Sequence, residues 1–96
     1  MFTLVDSADT AHDLVLVSRH WRPLVREIRR AGLLRDERAK AIGYHDLTAV
    51  SPCEAKAISD HFKRMLDEAG LPLDVDLDTA ERFSVFAAQS QGFEIS

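Results

Sequence analysis

The run Ser51-Pro52-Cys53-Glu54 marks the start of a helix, and that helix constrains the fold more than any other stretch of the chain. Ser51 can accept a hydrogen bond from the amide of Glu54, Glu54 can reach back to the Ser51 amide, and Pro52 suits the first helical position because it has no amide to leave unpaired. Ala55, Ile58, Phe62, Met65 and Ala69 follow at three- and four-residue spacing with Leu66 beside them, and Gly70-Leu71-Pro72 stops the pattern. A helix with one apolar stripe has to bury it, so the rest of the chain must supply the facing layer.

Two further helices have comparable signals. Trp21, Leu24 or Val25, Ile28 and Ala31 recur after Ser18 and end at Gly32, a residue suited to a left-handed stop. Pro23 either sits in the first turn of this helix or kinks a longer one, which predicts a break near residues 18–22. The last helix is capped by Asp76 or Asp78, carries Ala80, Phe83, Phe86 or Ala87 and Ser90 on one face, and ends at Gly92. Asp36 to Ile42 has room for two helical turns, followed by loop chemistry at Gly43, Tyr44, His45 and Asp46. The stretch Asp13 to Ser18 fits both a buried strand and the first turns of a helix continuing from Asp9, and is read as helix. Met1 to Val5 and Phe93 to Ser96 are short, strand-like segments, each the most economical partner for the other at one edge.

The expected architecture is mostly α, with α+β as the alternative: one globular domain over residues 1–96, built from three main helices with short terminal strands paired. Its expected core is Trp21, Leu24, Ile28, Ile58, Phe62, Met65, Phe83, Phe86 and Phe93. A chain of 96 residues hides roughly 60–70% of its unfolded surface, and a hydrophobic content of 46% excludes the composition of a disordered protein. With Cys53 as the single cysteine, no intramolecular disulfide can form, as expected in a reducing compartment. The longest apolar run, Leu14 to Val17, falls far short of a bilayer span, and no basic region precedes an apolar stretch at the amino terminus. The expectation is a cytoplasmic protein with no membrane partner.

Motifs for catalysis and cofactors are sparse. Asp74, Asp76 and Asp78 resemble the start of a calcium loop, but the sixth and twelfth positions are Thr79 and Val85 where glycine and glutamate are needed, and a helix cap explains them better. His12, His20, His45, His61 and Cys53 lack the spacing of a zinc site. Tyr44, His45 and Asp46 can form an acid/base set in a loop, and Cys53 near a helix start would be activated if exposed; the expectation is instead a turn histidine and a buried or half-buried packing cysteine. No phosphate loop, Gly-x-Ser-x-Gly elbow or His-Glu-x-x-His is present, so no cofactor, no metal and no enzymatic role are expected.

Charge is the most pronounced surface signal. The net charge is −4, yet residues 19–40 carry eight bases against three acids and residues 41–96 four bases against ten acids. Arg19, Arg22, Arg26 and Arg29 fall along one helical face with Arg30 beside them, forming a basic ridge suited to carboxylates or phosphates. The ridge is expected first as a solvated face paired internally with Glu27 and the acids of 67–81. An external partner is expected to be a protein or a second copy of this acidic chain rather than a nucleic acid, because RNA-binding signatures, helix-turn-helix spacing and interleaved aromatic residues are missing. The expected function is a non-catalytic interaction domain such as an inhibitor, adaptor or immunity-type partner. A nucleic-acid-binding regulator is the alternative, and a small enzyme using Tyr44, His45 and Cys53 ranks third.

Ser18 with Trp21 and Leu24, Val50-Ser51-Pro52 with Glu54 and Ala55, then Phe83, Phe86 and Ser90-Gln91-Gly92-Phe93-Glu94-Ile95 form an outline across most of the chain. It resembles small bacterial proteins of uncharacterised function that share a Trp-anchored helix, a Ser/Thr-capped Ala-rich helix and a Gly-Gly-Phe ending. Here Tyr44-His45-Asp46 stands where those proteins often carry Asn-Asp-Gly, and Gln91 replaces the first glycine. The resemblance implies a compact bacterial or phage-borne α or α+β domain and transfers no activity.

Overall fold

The computed structural model describes residues 2–9, 11–43, 48–68 and 70–95. Its first element is a hairpin. In β1 (Phe2–Asp6) alternate residues Phe2, Leu4 and Asp6 are buried, and in β2 (Asp13–Leu16) so are Leu14 and Leu16. The strands pair antiparallel from Phe2↔Leu16 to Val5↔Asp13. Asp6 and Asp9 each accept from the amide two residues on, at Ala8 (3.0 Å) and Ala11 (3.1 Å), and so shape the connection.

Of residues 13–18, expected as helix, Asp13–Leu16 is therefore a strand and Ser18 alone is helical. Burial there has a period of two, and valines at exposed positions suit a pleated surface. The helical break falls one residue before Ser18: α1 (Ser18–Arg30) starts after Val17, whose extended backbone makes it the N-cap without a side-chain bond. Ser18 is the first helical residue. Pro23 lies beyond the first turn, inside the helix, where its missing amide leaves the Arg19 carbonyl without its helical donor. At the other end Gly32 takes φ +71°, and the Leu33 amide closes back onto the Ile28 carbonyl at 3.1 Å.

Among the described residues four helices form rather than three. Asp36–Gly43 is α2, and its buried Ala39 and Ile42 make it part of the core. After β3 (Thr48–Val50), α3 (Pro52–Asp67) begins with the full capping box: the Glu54 amide donates to Ser51 Oγ at 3.2 Å and the Ser51 amide donates to Glu54 Oε1 at 3.0 Å. In α4 (Leu77–Gln89) Asp76 is the cap, accepting from the Thr79 amide at 3.0 Å and its hydroxyl at 2.8 Å. β4 (Phe93–Ile95) closes the chain.

The terminal strands pair, Leu4 opposite Ile95, but β4 is not an edge. It also pairs with β3 through Val50↔Phe93, giving an antiparallel sheet in the order β2-β1-β4-β3. The architecture is α+β. Phe83 sits at the aromatic centre, edge-on to Trp21 (5.5 Å between centroids), Phe62 (5.5 Å) and Phe93 (6.1 Å). Every expected core residue is buried except Met65, which is half-buried because the inward arc of α3 runs through Ala55, Ile58, Ser59 and Phe62. Ser59 and Ser84 exchange hydroxyl-to-carbonyl bonds of 2.9 and 3.4 Å, joining α3 to α4. The radius of gyration is 11.8 Å, against about 13 Å for a 100-residue domain. Among the described residues no helix is long and apolar enough to cross a membrane.

Candidate anion-docking groove

Burial of Trp21, Leu24 and Ile28 fixes the rotation of α1 and turns Arg22, Arg26 and Arg29 outward. α2 lies alongside, held by the Trp21 indole, which donates to the Ile42 carbonyl at 2.8 Å. Between them is a groove of about 220 Å³ with Val25, Ala39 and Gly43 as its apolar lining and Arg22, Arg26, Arg29 and Lys40 as its charged lining. All of the charged groups are cations. Pockets for drug-sized ligands run to about 300–1,000 Å³, so this groove suits a single anionic group carried by something larger.

The cations are differently engaged. Arg29 Nε donates to Asp36 Oδ1 at 3.2 Å, and Arg26 pairs with Asp74; all four side chains are substantially exposed. Exposed pairs of this kind contribute about 0–1 kcal/mol, so they hold the two guanidinium groups weakly. Arg22 and Lys40 have no ion pair among the described residues.

The other two ridge arginines lie outside the groove. Arg30 grips Glu27, with Nε 2.7 Å from Oε1 and Nη2 2.6 Å from Oε2, while His61 Nε2 stands 2.8 Å from the same Oε2. The Glu27 side chain is almost wholly buried, and the Arg30 guanidinium, helped by His61, holds its carboxyl below the usual range against the opposing effect of burial. Arg30 thus serves the fold. The charge of Arg19 acts on Asp76, whose carboxyl is lowered first by the Thr79 hydroxyl and amide and to a smaller degree by His20 and Arg19. Lys40, which completes the groove, belongs to a short helix with little amphipathic pattern, and only its spacing from Asp36 and Glu37 hinted at an exposed face.

The remaining candidates are dispersed. Asp74 pairs with Arg26, Asp76 caps α4 and Asp78 lies 3.7 Å from Arg82, so the three acids have three separate partners. Cys53 is exposed, contrary to the packing role expected, because the second position of α3 faces away from the Ala55 and Ile58 arc. Tyr44, His45 and Asp46 lie outside the described residues. Among those described, no three His, Cys, Asp or Glu side chains cluster closely enough to hold a metal ion. Asp6, unremarked in the sequence, is buried and accepts from the Ala8 and Gln91 amides at 3.0 and 3.2 Å, with His12 Nδ1 at 3.0 Å. His12 foremost, then the Ala8 amide, lowers its carboxyl pKa, and the bond to Gln91 ties the hairpin to the end of α4.

No family model, curated protein or solved structure matches this chain.

Proposed function

We propose that this protein is a non-catalytic interaction domain whose α1–α2 groove docks a carboxylate-bearing segment of another protein. The observation that carries the reading is the convergence of Arg22, Arg26, Arg29 and Lys40 on one small groove with no acid in its lining. A bidentate guanidinium contact suits a carboxylate and selects for geometry as well as charge. Protein is favoured over nucleic acid by the rest of the surface. The open face of the sheet carries Asp13 and Glu94 with Thr3, Val5, Val15 and Ala49, which offers no stacking platform for bases. The exposed free thiol of Cys53 supports a reducing, cytoplasmic setting.

The test is fluorescence anisotropy at low and high salt with a labelled Glu-rich peptide, a duplex DNA and a single-stranded RNA of matched charge. Tightest binding by the peptide, lost in Arg22→Glu/Lys40→Glu, supports the reading. Tighter, steeply salt-dependent binding of either nucleic acid, or peptide binding that survives the charge reversals, overturns it.

A further inference from the structure

The sheet ends in a short edge strand, β2, that carries no lysine, proline or bulge. β2 has β1 on one side, and among the described residues nothing pairs with the other. The Asp6 amide donates to the His12 carbonyl at 3.0 Å, which sets the phase of the ladder: His12, Leu14 and Leu16 aim their backbone groups at β1, while Asp13 and Val15 aim theirs outward. The Val17 amide points the same way, its carbonyl being taken by the His20 and Trp21 amides. Native edges are commonly guarded by lysine, proline or a bulge. Here the outer positions are Asp13, Val15 and Val17, and the two valines are among the few large apolar side chains that remain exposed among the described residues.

A third exposed valine, Val85 of α4, lies across a groove of about 820 Å³ that opens beside β2. Leu14 and Leu66 supply apolar lining, and Lys63, Glu81 and Arg82 give it charges of both signs. An isologous contact requires such a surface, because each patch must complement itself.

We infer that β2 pairs antiparallel with β2 of a second copy of this chain, extending the sheet across a two-fold axis. Centred on Val15, this register lets each Val15 amide donate to the Val15 carbonyl of the other copy and each Val17 amide donate to the other copy's Asp13 carbonyl. Charge selects the antiparallel direction. Parallel pairing would set Asp13 beside Asp13 of the other copy, whereas antiparallel pairing sets it opposite Val17, two residues before Arg19. The surface shares no lining residue with the α1–α2 groove, and the inference does not rest on the docking function proposed above.

The experiment is light scattering coupled to size exclusion over a concentration series for wild type, Val15→Pro, Val15→Lys and Arg22→Glu/Lys40→Glu. Proline at 15 removes only an outward-facing amide and so spares the β1 ladder; losing two inter-copy bonds lowers the association constant about thirtyfold. Val15→Lys places two ammonium groups across the axis, with the same direction of effect and no change in backbone chemistry. In a Cys53→Ser background, Val15→Cys should also cross-link on mild oxidation, since directly opposed residues lie about 5.5 Å apart between Cα atoms, whereas Thr3→Cys on the neighbouring strand should not. A dimer weakened by both Val15 changes, kept by the groove variant and trapped by Val15→Cys supports the inference. A wild-type monomer at every concentration overturns it, as does a dimer indifferent to Val15→Lys or lost only on reversing Arg22 and Lys40.

Discussion

The indole nitrogen of Trp21 lies 2.8 Å from the Ile42 carbonyl, inside the core, and this bond ties α1 to α2 beside the groove between them. Ile42 is in the last turn of α2, where carbonyls have no helical donor left, so the tryptophan supplies one while its ring anchors α1. Trp21→Phe keeps most of the ring and removes the donor. The expected cost is about 1–3 kcal/mol for the unsatisfied carbonyl plus lost packing, with faster amide exchange confined chiefly to α2. Exchange spread evenly over the chain would contradict this role.

The two glycines with positive φ make a contrasted pair. Gly32 has φ +71° with nothing within 4 Å of a would-be Cβ, whereas at Gly92, φ +84°, that atom would sit 2.5 Å from the Val50 carbonyl oxygen. Gly32→Ala should cost about 1 kcal/mol through backbone strain alone. Gly92→Ala adds a backbone clash to the strain, should cost upward of about 2 kcal/mol, and should loosen β3 from β4. Urea midpoints for the two variants check the order.

Helix α3 offers a calibration. Ser51→Ala removes one half of a complete capping box and should cost about 1 kcal/mol, without altering the groove. Glu54→Gln should do comparable damage by a second route, because Glu54 also pairs with Arg38 and its carboxyl is lowered first by that guanidinium. Chemical denaturation of the two variants measures both.

Glu27 predicts how stability depends on pH. Its folded carboxyl titrates below the unfolded value, so the unfolded chain takes up a proton first as pH falls. The contribution is complete above the ordinary carboxylate range near about 4.3 and is lost as pH drops through the folded value. Glu27→Gln should therefore be less stable than wild type at neutral pH, by about 1–2 kcal/mol, with the gap closing in acid. A gap that widens as pH falls would refute the assignment.

Much of this fold was legible because local chemistry and tertiary packing agree. Ser51 with Glu54, Asp76 and Gly32 each perform the backbone task their residue type suggests, and the aromatic residues named for the core are all buried. What escaped the sequence lies where a short segment is decided by distant neighbours. Leu14 to Val17 reads equally as strand or helix until Phe2 and Leu4 supply a ladder. β3 has three residues and exists because β4 is there to receive it. For the groove, the arginines were visible in the spacing of α1, but their division was not. Arg30 turns to Glu27, and His61, thirty-four residues away from that acid, meets the same Oε2, while Lys40 enters from a helix whose buried residues are Ala39 and Ile42.

The central claim is that an acidic protein segment docks between α1 and α2. Backbone amide shifts recorded while a Glu-rich peptide is titrated into the protein test it most directly. Saturable shifts centred on Arg22, Val25, Arg29, Lys40 and Gly43, absent in Arg22→Glu/Lys40→Glu, are the predicted result. No saturable shifts, or shifts centred on another face that persist in the variant, would contradict it.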